Sequence, residues 1–355
     1  AGMSPTIKIV LAVVTYLLWD TCYTLCDAPI FALPTAMTSS VKERSSFMTV
    51  GTVGGSLAAA LATVFLVPYA ENNGYLKAAI IVAVVSFLAM SLISLFGKER
   101  YKVKEEVLEK PASLRDTWEY LIHNKYLLYF YAYRMISGSI AVSMLIYVAK
   151  YCLGDVKYMS MVVAISVIPI CILFLFSGKI FKRFDKIVVY RFCMIATILM
   201  NAITLFVGYQ NRTLAIACLV VIAVLAILPS ILMGAIPQDC VEYGTYKTET
   251  RKEGITFALQ TFANKLTAAV ATIITGGVLT FVGYDVAAEK AATEAHKVVE
   301  IAVSQATVSG MWKASFIVPI IGQLLAIGFL FAYNLRDKDV QIMSDCNAGK
   351  ITKAE

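Results

Sequence analysis

Two carboxylates, Asp20 and Asp27, stand inside a stretch that is otherwise apolar enough to cross a membrane. The run from Ile9 to Leu18 precedes them, and Ala28-Pro29-Ile30-Phe31-Ala32-Leu33-Pro34 follows. At helical spacing Asp20, Tyr23, Thr24 and Asp27 occupy i, i+3, i+4 and i+7 and share one face. A carboxylate at the centre of a spanning helix costs about 2.5–3.5 kcal/mol on insertion scales, so such a face points into a bundle interior or a water-filled path and marks a substrate or ion route. A hydrated carboxylate at a helix end is the competing reading for each acid. Trp19, Tyr23 and Phe31 lie in the same segment, where aromatic rings ordinarily pack against lipid or core. Sugars, however, stack their apolar faces on aromatic rings while carboxylates accept their hydroxyl hydrogen bonds. Asp27 with Trp19, Tyr23 and Phe31 supplies both.

A second group of charges lies where a later apolar run gives out. Pro237-Gln238-Asp239-Cys240-Val241-Glu242-Tyr243-Gly244 leads into Lys247-Thr248-Glu249-Thr250-Arg251-Lys252-Glu253-Gly254. Acids and bases alternate there within reach of one another, as a salt-bridge gate that closes one conformation requires. A hydrated loop whose charges only set topology accounts for the same composition. Lys265 is a third case, about ten residues into an apolar span. An intramembrane ammonium needs a carboxylate or polar ligand, and Asp27 is the candidate; snorkelling to the interface is the alternative. Arg134 and Gln323 are weaker cases that span-end or packing roles explain. The eight cysteines are scattered with no CxxC pair, and the two histidines, His123 and His296, fall in polar connectors, so no disulfide framework or metal site is expected. No nucleophile–base pair suggests an enzyme.

The elements that must position these groups follow from composition. With 59% hydrophobic residues, 15% charged residues and a mean hydropathy of +0.73, the 355-residue chain is too apolar for a soluble domain. Its apolar runs reach the length of helical spans and lack strand alternation, which predicts an all-α membrane protein in contact with the lipid bilayer. Nine spans are predicted, at about 6–36, 46–69, 75–97, 126–150, 156–178, 187–208, 213–238, 255–283 and 307–334. Pro29 is expected to kink the first. Small residues in the second, Gly51, Gly54 and Gly55, suit close helix packing. Residues 98–125 form a polar linker with an amphipathic helix at 113–122. The organisation expected is therefore a three-span bundle at 1–97, a linker at 98–125, a six-span bundle at 126–335 and a polar tail at 336–355.

The formal charge of +7 does not point to nucleic acid, because the basic residues fall between spans. Of 31 Lys and Arg, 21 lie on the side of the linker and tail, seven lie opposite and three lie within spans, which places the linker and the C-terminus in the cytoplasm. The chain's start then falls outside. With no cleavable signal ahead of the first span, this suggests that spans precede residue 1.

At this point the chain resembles the glycoside-pentoside-hexuronide:cation symporters, the melibiose permease family of the major facilitator superfamily. Trp19, Tyr23, Thr24, Asp27 and Pro29 match the family's fourth-helix pattern W-x-x-x-Y-T-x-x-D-x-P. Asp239, Glu242, Tyr243, Gly244, Lys247, Arg251 and Glu253 resemble its tenth-helix pattern, D-x-x-[DE]-Y-G running into K-x-G-x-R-x-E. Gln260, Thr261 and Lys265 are similar to the eleventh-helix Q-T-x-x-x-K. The resemblance covers helices four to twelve of twelve and implies an N-terminally incomplete major facilitator bundle. It also implies roles: sugar binding for Asp27, Trp19, Tyr23 and Phe31, with Asp20 as a possible extra charge in the pocket; cation coupling for Thr24, Asp27 and Lys265; gating for Asp239, Glu242, Arg251 and Glu253.

Departures are visible. Thr52 stands where the familiar member has a sugar-binding arginine, Phe31 where it has a tryptophan, Asp20 replaces a glycine, and Glu249 replaces the glycine of the K-x-G-x-R turn. The function implied is symport of a glycoside, pentoside or hexuronide with Na⁺ or H⁺ across the cell inner membrane by alternating access, with no cofactor besides the cation. A lysolipid carrier on the same fold and a non-transporting membrane fragment are the rivals.

Overall fold

The computed structural model describes residues 4–37, 50–51, 54–55, 57–96, 114–141, 144–248, 252–285 and 303–347. Of Thr24, Phe31, Glu253 and residues 26–30 it describes the helical backbone alone. All regular structure among these residues is helical: α1 (Pro5–Met37), a π-helical turn Ala62–Leu66 running into α2 (Val67–Asn73), α3 (Tyr75–Phe96), α4 (Leu114–His123), α5 (Lys125–Ser139), α6 (Leu145–Tyr147) with a π-helical turn Val148–Cys152, α7 (Lys157–Arg183), α8 (Lys186–Val207), α9 (Arg212–Leu225), α10 (Ile227–Thr248), α11 (Glu253–Phe281), α12 (Gln305–Ala332) and α13 (Asp337–Asn347). Among the described residues seven stretches are long and apolar enough to cross a membrane, including Thr6–Tyr23, Tyr75–Leu92, Arg212–Thr248 and Gln305–Ala332. The protein is an all-α, multi-pass membrane protein.

By contact the chain divides into two compact units, one made of Ala1–Ala58 and Ala70–Lys110, the other of Ala59–Tyr69 and Pro111–Glu355. In the first, α1 continues through Pro29 and Pro34 to Met37, so helical spacing holds over the whole acidic segment. Of the second predicted span, 46–69, the described residues include a shorter apolar helix, Leu57–Ala70. In the second unit Ser160 donates from Oγ to the Thr63 carbonyl at 3.1 Å, fixing the 59–69 segment onto α7.

Two of the predicted spans have a different course. The fourth, expected unbroken at 126–150, stops at Ser139 and resumes at Leu145. Gly138 and Ser139 are poor helix formers, and two neighbouring helices press on this point. A Cβ on Gly138 would lie 2.5 Å from the Thr267 methyl of α11, and one on Gly322 of α12 would lie 2.4 Å from the Ile140 carbonyl oxygen. The seventh, expected at 213–238, is α9 and α10 separated by Ala226, and it runs ten residues further to Thr248. Pro229 explains the break, because its ring opposes the carbonyl of Leu225 and it has no N–H to offer it. The linker helix, expected at 113–122, is α4 at Leu114–His123.

The second unit has two apolar cores. Leu127, Phe130, Tyr133, Tyr190, Leu232, Ile236, Leu330 and Tyr333 fill the end where α8 begins and α12 finishes. Met144, Val148, Leu153, Ala215, Met311, Trp312 and Phe316 fill the opposite end. The close approach at Gly322 makes a sharp prediction. Gly322→Ala should lower the thermal midpoint of the purified protein by several degrees, reflecting overpacking of about 1–3 kcal/mol. Gly328→Ala, where nothing lies within 4 Å of the added Cβ, should leave the midpoint unchanged or raise it.

Candidate functional site

The first group of candidate residues lies on α1. Since the helix is continuous, residues 19, 20, 23, 24, 27 and 31 fall within a sector of roughly 140° at about 100° per residue. The Trp19 and Tyr23 rings stack, with centroids 5.7 Å apart and planes 23° apart. Tyr16 extends the ladder, 5.8 Å from Trp19; sequence reasoning missed Tyr16, although its position three residues before Trp19 places it on this face. Both Trp19 and Tyr23 are exposed, leaving ring faces open to a ligand, and Asp20 beside them is half-buried. The side chains of Thr24, Asp27 and Phe31 lie outside the described residues, so the expected pairing of Asp27 with Lys265 does too.

The second group is built by four helices at one end of the second unit. Asp239 and Glu242 were open to reading as loop residues; both stand on α10, which runs to Thr248. The carboxylate of Asp239 pairs with the ammonium of Lys186, the first residue of α8. Asp337, the first residue of α13, lies 3.5 Å from the same ammonium and accepts the Lys186 backbone N–H at 3.1 Å. One cation thus serves carboxylates from two other helices. Lys186 and Asp239 are well shielded, with side chains 21% and 14% exposed. In such a site loss of one partner leaves the other charge without compensation, which costs far more than breaking a surface pair.

The rest of the motif around Asp239 is also accounted for. Glu242 accepts from the Asn347 side-chain amide on both its carboxylate and its backbone carbonyl, each at 3.0 Å, which fastens the end of α13 to α10. Tyr243 meets Tyr126 edge-to-face at 4.7 Å, and Tyr126 meets Tyr333 at 5.3 Å. At Gly244 the end of α4 and the residue capping α5 approach closely, since a Cβ there would lie 2.7 Å from the Tyr120 hydroxyl and 2.9 Å from the Asn124 amide. Asn124 caps α5 by accepting from Leu127 N at 3.2 Å and donates to the Cys240 carbonyl at 2.7 Å. One turn along α8, Arg191 donates to the carbonyls of Leu330, Phe331 and Tyr333 and to Asn334 Oδ1, at 2.6–3.3 Å, capping α12. These carbonyls belong to a helix terminus, which lacks intrahelical donors.

Lys186, Asp337 and Asn347 were not singled out in the sequence. They belong to a connector and a tail whose charges look solvent-facing, and only their long-range pairing marks them. Arg251 lies outside the described residues, and of Glu253 only the backbone at the start of α11 is described. The mutual pairing expected within 239–253 falls largely outside the described residues; the partners described for Asp239 and Glu242 come from α8 and α13. On α11, Lys265 is exposed. Gln260 donates to the Met233 carbonyl at 3.2 Å, while its Oε1 is buried with no donor among the described residues.

Comparison with known proteins fits this geometry. The chain matches the family of MFS/sugar transport proteins over residues 1–337. It is similar to the uncharacterized symporter YjmB of Bacillus subtilis, 27% identical over 293 residues that cover 80% of this chain and 63% of the relative. A putative sulfoquinovose importer of Escherichia coli is 26% identical over 341 residues, covering 94% of this chain and 70% of the relative. An isoprimeverose transporter of Lactiplantibacillus pentosus is 24% identical over 364 residues, covering 97% and 71%. The chain spans about two thirds of the length of these relatives. It belongs to the MFS/sugar transport protein family, a family of membrane transporters and not of enzymes.

The shared ammonium can be tested directly. Lys186→Ala should destabilise the protein by about 3 kcal/mol, because it leaves Asp239 shielded without a counter-charge. Lys186→Ala combined with Asp239→Ala should recover part of that loss. Chemical-denaturation midpoints of the two single variants and the double variant measure the coupling, and strictly additive losses would show that the pair carries no interaction energy.

Proposed function

We propose that the protein takes part in cation-coupled symport of a glycoside, pentoside or hexuronide by alternating access, with Na⁺ or H⁺ as the coupling ion. The observation that carries this reading is the α1 face, where a stacked, exposed Trp19–Tyr23 pair stands beside Asp20 and one turn from Asp27. Rings offer a platform for the apolar face of a sugar ring, and carboxylates accept its hydroxyls. In this reading Asp27, Trp19, Tyr23 and Phe31 bind sugar, Asp20 adds a negative charge to the pocket, and Thr24 with Asp27 holds the cation. A cation that neutralises these acids strengthens sugar binding, and linkage requires sugar to strengthen cation binding by the same factor. The family match and the printed names of the relatives, two transporters of sugars and a symporter, support it.

Lys265 is assigned to coupling, on its place in an apolar span. Asp239 and Glu242, with Arg251 and Glu253 from the same motif, are assigned to the gate at the end of the bundle where Lys186 lies. The excess of Lys and Arg on the side of α4 and α13 supports a cytoplasmic position for that end, in the inner membrane of the cell.

Uptake of labelled glycosides, pentosides and hexuronides, compared with labelled lysolipid, tests the reading in cells making the protein as it occurs naturally. Sugar uptake driven by an inward Na⁺ or H⁺ gradient is expected, and lysolipid uptake alone would replace the sugar reading. Asp27→Cys should weaken sugar binding at least tenfold, and an unchanged affinity would remove Asp27 from the site. Lys265→Ala should retain sugar binding while losing accumulation against a gradient; normal accumulation would place Lys265 in the snorkelling role.

A further inference from the structure

On α8, Phe192, Ile195, Leu199, Ile203 and Phe206 are exposed at spacings of three and four. Such a continuous apolar stripe on a spanning helix faces lipid. On α12, Ile317, Ile321, Leu324 and Leu325 form a comparable exposed patch. Lys313, one turn before Ile317, is exposed at the edge of that patch. The stripe and the patch run up to a recess of about 440 Å³ at the end of the second unit opposite Lys186, walled by Phe206, Tyr209, Gln210, Trp312, Lys313 and Ile317. No carboxylate lines it among the described residues. Trp312, 2% exposed, forms its aromatic wall with Tyr209 at 5.6 Å, and the indole N–H has no acceptor among the described residues.

We propose that this recess is a binding site for the headgroup of an anionic phospholipid, its phosphate beside the Lys313 ammonium and its acyl chains along Phe206 and Ile317. Two features require different parts of one ligand. Apolar residues leading in from the bilayer call for a hydrocarbon chain, and a lysine without nearby carboxylates calls for an anion. A soluble anion would leave the apolar approach unused, and a neutral amphiphile would leave Lys313 unmatched. A lysine that merely snorkels to the interface needs no recess beside it. The residues of the site all belong to the second unit, and the proposal does not depend on what the protein transports.

Titration of the detergent-purified protein with dioleoylphosphatidylglycerol, followed by native mass spectrometry, tests the assignment. One tightly retained phosphatidylglycerol per chain is expected, with dioleoylphosphatidylcholine retained at least tenfold less. Lys313→Gln and Ile317→Asp should each weaken retention at least tenfold, Lys313→Arg should preserve it, and Lys157→Gln, at another exposed lysine, should leave it unchanged. Equal retention by the wild type and Lys313→Gln would overturn the proposal. So would displacement of the lipid by millimolar inorganic phosphate, which would mark the recess as a site for a soluble anion.

Discussion

A single ammonium group joins three helices at one end of the second unit. Lys186 begins α8, and its two acidic partners begin α13 and stand two turns from the end of α10. Arg191, one turn further along α8, fastens the end of α12 through its carbonyls. Asn347 returns from the far end of α13 to Glu242. The tail helix is thus tied to α10 at one end and to α8 at the other by charge and amide contacts, while Val340 and Met343 between them pack against the apolar core. In the proposed gating role, such an arrangement suits a closure that must both hold and release. Packed apolar surfaces have one good arrangement, while a lysine between two carboxylates can exchange partners as a cycle proceeds.

The apolar framework follows from the solvent. Within a bilayer every backbone polar group needs an internal partner, which is why the chain is helical throughout its described spans and why its interruptions are informative. Both interruptions in the second unit sit where local chemistry weakens the ladder, at Gly138-Ser139 and ahead of Pro229. At the first of them neighbouring helices approach more closely than a side chain would permit.

Much of this was legible in the sequence. Long apolar runs set the helical class, and charge spacing on α1 put Trp19, Asp20, Tyr23 and Asp27 on one face, which the unbroken helix maintains. The linker helix lay within one residue of its expected bounds. What escaped detection was of two kinds. Breaks at 139–145 and at Ala226 were hidden inside continuous hydropathy, since hydropathy registers transfer cost and is blind to the ladder of hydrogen bonds. Lys186, Asp337 and Asn347 were hidden because ion pairs and amide contacts between residues about 50 to 150 positions apart in the chain leave no periodic trace. Local alternation of sign around 239–253 drew attention to Asp239 and Glu242, and the structure adds partners for them from α8 and α13 that the motif alone does not indicate.

The account rests on coupling between sugar and cation at the α1 face, and calorimetry measures it most directly. Sugar affinity would be titrated with and without Na⁺ and at two pH values, and cation affinity with and without saturating sugar. The account predicts that one cation raises sugar affinity by a factor of roughly 5–150 and that sugar raises the affinity for that cation by the same factor. Sugar binding that is indifferent to Na⁺ and to pH would contradict it.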